Sequence, residues 1–470
     1  MNSTYQSRFH QLNNRKLDLL LQADTHTLER EVKERSTGFG YTFSSPYYYD
    51  GLAFMGNETY VKCAEDQRRY GECTSLNICV LQDTTGHDVM IQHFPSDFIV
   101  VTSSYDEMVQ NIRVGRCNVL SELRSGLIYL ASHDEAKDLG LIVGDKTLSK
   151  KPLAIVTCQN DREFSDIINW VMQALFFGEE QGITNNTSLC QDYSTTIRLQ
   201  TSDLNFLNAV YCVGSYSDII LSNSVRHRGM NQINNGTNGI IYSIPFGEIQ
   251  YPNAVANDTC LCDMRDKGSL KCGVLVPRGF NGNLTSSDKL VGMNVDFCRT
   301  LAAGLSNGDA TAVDILTFFL EEDAYLALKN GTINVLAGAR VHKKYDFDSS
   351  YHFSTPYFYG DEAANENLTI YALATREDDT LFSSFVNAIV IATIYAAENS
   401  IEQDRSTEIP LIYLFGGAFT WALRDALAYS GNYDELYMRN FGDVLEEDRG
   451  RNALNEWSDP QIHSIPGLAL

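Results

Sequence analysis

Eleven cysteines and nine histidines are the residues of this chain whose chemistry must be placed first. Only Cys260 and Cys262 lie close together, so the paired C-x-x-C spacing of a zinc ribbon cannot be assembled, and no metal is expected. Disulfides are the better use of so many thiols, and they imply an oxidising compartment. Nine Asn-x-Ser/Thr sequons, from Asn2 and Asn57 through to Asn367, point the same way and toward a glycosylated surface. His26 and His342 fall at matching places of an internal repeat and are the candidates for general acid work, a structural role being their other use, and His26 is also a candidate ligand contact. The sequence holds no Gly-x-Ser-x-Gly, His-Glu-x-x-His or phosphate-binding glycine loop, so no catalytic residue and no cofactor are assigned. Thr84 and Thr85 sit between the apolar run Ile78–Leu81 and a helical segment. There a threonine either caps the helix or offers its hydroxyl and nearby backbone N–H groups to an anion.

The elements that must position these groups are organised as a repeat. Tyr41-Thr42-Phe43-Ser44-Ser45-Pro46-Tyr47 recurs as Tyr351-His352-Phe353-Ser354-Thr355-Pro356-Tyr357, at an offset of 310, and both copies read as an aromatic, β-rich strand with a proline at its entry. Upstream, Asn14 to Leu20 with Ala23 and His26 match Asn330 to Leu336 with Ala339 and His342, a helix, a turn and a short buried strand. Downstream, Phe164 to Trp170 resemble Phe382 to Ala388 at an offset of 218. The fall in offset means that about 92 residues present in the first copy are lacking in the second. Conversely, Leu270 to Leu320 read as strand, amphipathic helix and strand, and have no counterpart before Met1.

At 470 residues and 44% hydrophobic content the chain supports two or three domains, each with its own core. A formal charge of -24 would repel phosphate backbones, so nucleic acid is not an expected partner, and anionic membranes are little better. The first residues lack a basic segment followed by an apolar stretch, so no signal peptide is visible there. The longest apolar run, Phe385 to Ala397, is short for a membrane span and reads as a buried helix.

The chain resembles the type 2 periplasmic solute-binding proteins of family 3, and among them the general L-amino-acid-binding components of ABC importers. The likeness lies in Gly268 to Val274 and Gly292 to Ala302 of the second copy, and in Ile78 to Thr85, Gly115 to Val119 and Lys150 to Leu153 of the first. Arg449 to Asn455 match the C-terminal pattern. The resemblance implies an α/β fold of two lobes joined by crossing hinge strands, here present as one and a half to two partial copies. Residues 1–250 would form the first module, with a partial lobe 1 at 1–45, lobe 2 at about 55–160 and return helices at 161–250. Residues 251–470 would form the second, with lobe 1 at 268–355, lobe 2 largely deleted and C-terminal helices at 380–455. Tyr41 to Phe54 would cross the hinge. Cys79 with Cys117, and Cys272 with Cys298, become expected disulfides, and Cys63 with Cys73 would close a small loop.

An amino-acid cleft must neutralise a carboxylate and an ammonium. Arg30 lies where the family places its carboxylate-binding arginine, in a charged stretch that would equally suit a solvated side chain. Thr84 and Thr85 occupy the position that offers hydroxyl and N–H groups. Where the family carries an acid for the ammonium this chain has Leu123, with Glu122 one position away, and Glu122 substitutes only if the strand bulges there. Phe280 is the candidate aromatic contact, with core packing as its other use. In the second copy Asp346 stands opposite Arg30. Three functions follow: an extracytoplasmic module, periplasmic or at the cell surface, that captures an amino acid or small carboxylate for a membrane transporter or receptor; a degenerate binding fold serving as a secreted interaction scaffold; or a dehydratase of the kind some relatives with this fold have become.

Overall fold

The computed structural model describes residues 5–34, 36–66, 75–132, 139–190, 206–222, 231–234, 261, 264–265, 270–276, 283–284, 290–342, 351–361, 368–442 and 449–455. The chain divides into two compact units, Met1–Cys158 and a second made of Gln159–Ser243 with Gln250–Leu470. The return helices, expected with the first module, therefore group with the second unit. They form a packed set of their own, in which Trp170 meets Phe206 and Phe176 meets Tyr216, and Arg162 at their start is hydrogen-bonded to His352 at 2.9 Å.

In chain order the first unit contains α1 (Tyr5–Asn13), β1 (Leu19–Leu20), α2 (Leu28–Lys33), β2 (Tyr41–Phe43), β3 (Tyr48–Asp50), β4 (Leu52–Gly56), α3 (Glu58–Glu65), β5 (Ile78–Leu81), α4 (Thr85–His93), β6 (Ile99–Thr102), α5 (Tyr105–Arg113), β7 (Val119–Leu123), α6 (Arg124–Ser132), β8 (Ile142–Val143), β9 (Lys151–Leu153) and β10 (Val156–Cys158). Its larger lobe is a five-stranded sheet in the order β6-β5-β7-β4-β8, with β5 parallel to both β6 and β7. Strand alternation sends Val119, Ile78, Val80 and Leu52 to one face, against Met90 and Phe94. Leu120, Cys79 and Ala53 go to the other, against Met108 and Leu127. Because α4 and α5 follow β5 and β6 on opposite faces, their N-termini open at the same C-terminal sheet edge, the place where α/β sheets bind ligands. Asn57, Thr84 and Ser104 cap α3, α4 and α5 with side-chain oxygens. The smaller lobe is the three-stranded sheet β1-β10-β2 with α1 and α2, and the lobes are joined by β3 and β9, paired antiparallel with Asp50 opposite Lys151.

The second unit contains α7 (Arg162–Glu180), α8 (Leu207–Val213), α9 (Tyr216–Ser222), β11 (Leu270–Leu275), β12 (Asn283–Leu284), β13 (Leu290–Val291), α10 (Met293–Leu305), β14 (Val313–Phe318), α11 (Glu321–Lys329), β15 (Val335–Arg340), β16 (Tyr351–Phe353), β17 (Phe358–Asp361), β18 (Leu368–Arg376), α12 (Thr380–Glu398), α13 (Ala422–Ser430) and α14 (Tyr433–Phe441). Its main sheet runs β14-β11-β15-β18-β16, with β17 also on β18. Where the first unit inserts a whole lobe after β3, the second passes from β17 at Asp361 to β18 at Leu368, and these two residues pair. Asn452, from the C-terminal pattern, grips β17 as a strand would: its side chain accepts from Tyr359 N–H at 2.7 Å and donates to Tyr359 C=O at 2.8 Å. The apolar α12 is the one described helix long and apolar enough to cross a membrane, and its near-complete burial makes it the core helix of this unit.

The repeat holds bond for bond. Ser44 accepts from Ile155 N–H at 3.0 Å as Ser354 accepts from Leu373 N–H at 3.0 Å, and Tyr41 donates to Phe9 C=O at 3.2 Å as Tyr351 donates to Tyr325 C=O at 3.0 Å. One stretch corrects the sequence alignment. His26 N–H donates to Pro152 C=O at 2.8 Å, and the equivalent donor to Ile370 C=O is Val341, at 2.9 Å. His26 is thus matched by Val341, not His342, while Asp346, expected opposite Arg30, lies outside the described residues. The cause is one extra residue between Leu20 and the left-handed turn. That turn is Ala23 (φ 47°) in the first copy and Gly338 (φ 75°) in the second, and both amides donate to the same tyrosine hydroxyl, Tyr47 or Tyr357.

Candidate functional site

The site is built at the first turn of α4. Thr84 is the helix cap: its hydroxyl accepts from His87 N–H at 3.1 Å and spends its one donor on Leu81 C=O at 2.8 Å. Thr85 and Gly86, the first two helical residues, have N–H groups with no intrahelical acceptor, and these carry no hydrogen bond among the described residues. The Thr85 hydroxyl is equally uncommitted.

The hinge supplies Lys151, which is 3% exposed. Its Nζ donates to Thr85 C=O at 3.0 Å, holding the amine at the start of α4. Burial, together with repulsion from Arg30 and against attraction from Asp88 and Glu122, pushes the Lys151 amine down to about 7. Arg30, on α2 of the smaller lobe, is also buried. Its Nη1 donates to Thr25 C=O at 2.8 Å, its guanidinium lies 5.3 Å from the Phe9 ring centre, and its other N–H groups have no hydrogen bond among the described residues. Behind it the Arg8–Asp24 ion pair is wholly buried, and burial holds the Asp24 carboxyl above its ordinary value.

Two carboxyls border this cationic pair. Strand β7 runs in regular register to Leu123, with Glu122 opposite Ala53, so the bulge that would turn Glu122 toward α4 is not formed. Glu122 instead accepts from Leu123 N–H and from Tyr105 at the start of α5, and burial, with the Asp50 charge opposing those bonds, raises its carboxyl. Asp50 is raised by burial too, while accepting from Gly51 N–H at 2.8 Å and from the Ser125 hydroxyl.

Of the residues expected from sequence, Arg30, Thr84, Thr85 and Glu122 are therefore gathered around Lys151. His26 stands apart: its ring is stacked on Phe43 at 4.4 Å and its Nε2 meets Glu31 at 3.0 Å. Phe280 lies outside the described residues. Lys151, Asp50 and Asp88 were not singled out from sequence; the usable signal was a lysine directly before the hinge proline, Pro152. In the second unit the same register puts Thr369 at the place of Lys151 and Gly360 at that of Asp50, so this cluster is absent there.

The disulfides Cys79–Cys117 and Cys272–Cys298 form as expected, the first joining β5 to the turn just before β7 and the second joining β11 to α10. Cys63 is also disulfide-bonded, and Cys73 is outside the described residues. A further bridge, Cys190–Cys212, ties the loop after α7 to α8. Among the described residues no group of His, Cys, Asp and Glu is arranged to hold a metal.

Two lobes crossed by paired hinge strands, with a helix N-terminus at the carboxyl edge of a mixed sheet, define the type 2 periplasmic-binding-protein fold, here in tandem partial copies. The chain is similar to amino-acid-binding proteins of that class. It is 30% identical over 181 residues to the general L-amino acid-binding periplasmic protein AapJ of Rhizobium johnstonii, covering 38% of this chain and 50% of that protein. It is 26% identical over 271 residues to the putative amino-acid ABC transporter-binding protein YhdW of Escherichia coli, covering 52% and 75%. The glutamate/glutamine/aspartate/asparagine-binding protein BztA of Rhodobacter capsulatus is 29% identical over 187 residues, covering 38% and 52%. The chain thus spans about half the length of the Rhizobium and Rhodobacter relatives. Among solved structures, a periplasmic binding protein from Brucella ovis with glutathione bound superposes with a TM-score of 0.41 at 23% identity, covering 52% of this chain and 82% of that one. No family model matches the chain. The names of these relatives describe binding proteins.

Proposed function

We propose that the first module captures a small carboxylate-bearing solute, an amino acid in the leading case, outside the cytoplasm and hands it to a membrane transporter. The observation that carries this is the approach of two buried basic side chains, Arg30 from one lobe and Lys151 from the hinge, with Lys151 held at a helix start whose Thr85 and Gly86 N–H groups are uncommitted among the described residues. A carboxylate there receives a guanidinium fork, an ammonium and the positive end of the α4 dipole. Asp50 pairs with Lys151 in the hinge register, where an α-ammonium would need an acid, whereas Glu122, with no bulge to turn it, stays engaged with Leu123 N–H and Tyr105.

The second module serves as a scaffold in this reading, because Thr369 and Gly360 replace the charged pair and no second lobe separates β17 from β18.

The test is a thermal-shift and calorimetric screen of the oxidised full chain against the twenty amino acids and a set of small carboxylates. A solute present at a hundred times its dissociation constant should add about 2.7 kcal/mol of stability. Arg30→Ala should remove that gain. A protein that melts cooperatively yet is shifted by no member of the set would exclude the reading.

A further inference from the structure

We propose that the first module takes up its anionic solute together with one proton, and that the Lys151 amine is the group that accepts it. The proposal rests on the reading of Arg30, Lys151 and the start of α4 as the carboxylate site.

The geometry sets the amine in an unbalanced field. Lys151 is nearly sealed from water and, among the described residues, has a single hydrogen bond, to Thr85 C=O, which either a neutral amine or an ammonium can donate. The charges acting on it come from three elements, Arg30 from α2, Asp88 from α4 and Glu122 from β7, and Asp50 of β3 is its partner in the hinge register. Both strand carboxyls are engaged elsewhere, Asp50 with Gly51 N–H and Ser125, and Glu122 with Leu123 N–H and Tyr105. Asp88 and Glu122 attract the ammonium, but burial of the amine, aided by the Arg30 charge, outweighs them.

Near neutral pH the empty site therefore holds the amine only partly protonated, its pKa near 7. A solute carboxylate seated between Arg30 and Lys151 cancels the repulsion and favours the ammonium. The proton comes from solvent, so binding consumes it, and linkage requires affinity to fall as pH rises above 7, by up to about tenfold per pH unit until the lysine of the complex itself titrates. Below that pH the amine is already charged and contributes no slope.

The experiment is isothermal titration of the full chain with L-glutamate, L-glutamine and succinate, run in phosphate and in Tris at pH 7, 7.5, 8 and 8.5. Expected is a binding heat that differs between the two buffers by up to one proton's ionisation heat, the difference growing from pH 7 to 8, with affinity falling over the same range. Lys151→Arg, whose charge is permanent, should bind with buffer-independent heat and a flat pH profile, and Lys151→Gln should bind weakly at every pH. Wild-type binding with equal heats in both buffers overturns the proposal and leaves the carboxylate site standing. Binding of none of the three, nor of any solute in the screen, overturns both. If the variants fail to fold, the wild-type comparison between buffers decides alone.

Discussion

Replacing Lys151 by methionine should stabilise the protein, and by an amount that depends on pH. A lysine in the unfolded chain keeps its proton up to about 10.4, whereas the buried Lys151 loses it near 7. Between those values the unfolded state binds more protons than the folded one, so native stability rises with pH through that window and is lowest below it. A gap of some 3.5 pKa units corresponds to about 5 kcal/mol at about 1.4 kcal/mol per unit, on a side chain only 3% exposed. Methionine has a similar length and no charge, and removes this term. Chemical denaturation of the full-length wild type and Lys151→Met, run side by side from pH 6 to pH 10, should show the variant more stable by several kcal/mol at pH 6. Its advantage should shrink steadily above pH 7 and be nearly gone at pH 10, where the lost bond to Thr85 C=O is the remaining difference. A difference between the two proteins that does not change with pH would show that Lys151 titrates as an ordinary solvated lysine, and the cationic-pair argument would fail with it.

Further outcomes follow from single contacts. Arg8→Ala or Asp24→Ala, each leaving a buried charge alone, should cost about 3–5 kcal/mol by denaturation, while the double variant should cost clearly less than the sum. Thr84→Ala should lower stability by about 1 kcal/mol, because the hydroxyl caps α4, and should leave solute specificity unchanged in the calorimetric screen. Ala23→Gly should raise the melting temperature slightly, relieving a left-handed backbone worth about 1 kcal/mol. Removing the Cys79–Cys117 bridge, which spans 38 residues, should destabilise the first unit by about 4 kcal/mol in the chain-entropy account, read as the loss of slow hydrogen exchange in β5 and β7.

The parts of the fold that were legible in sequence rest on residue patterns that recur in both copies. The Tyr-x-Phe-Ser-x-Pro-Tyr strand pattern makes the same bond in each, Ser44 accepting from Ile155 N–H and Ser354 from Leu373 N–H, although the first partner lies 111 residues away in the chain and the second 19. The two cysteine pairs read from the resemblance join elements adjacent in the sheet or in chain order. Strand parity also held: with no bulge in β7, Glu122 stays on the face of α5. What sequence could not show is register across a turn. A single residue more before Ala23 than before Gly338 is invisible to a pattern of hydrophobic and polar letters, yet it unpairs His26 from His342. The site was half legible for a similar reason. Lys151 follows another lysine, which reads as solvated surface until the hinge pairing with β3 buries it opposite Asp50.

The two copies differ most where charge is buried. In the first, Arg8 on α1 meets Asp24 just beyond β1, and Asp24 lies within electrostatic reach of Arg30. The repeat places Ala324 and Ala339 at the same two positions of the second copy, both fully buried and both uncharged. An interior ion pair is weak support for stability, since apolar residues of fitting volume do as well or better, and the second copy shows that this lobe packs without one. The pair occurs in the copy that also has Arg30 and Lys151, and is missing where Thr369 stands in for that lysine. Its use is then electrostatic: Asp24 offsets part of the repulsion between cations that must sit close together to receive one carboxylate. Where that task is absent, the arginine, the aspartate and the hinge lysine are all replaced, as expected if they form one functional group of residues and not three separate stabilising contacts.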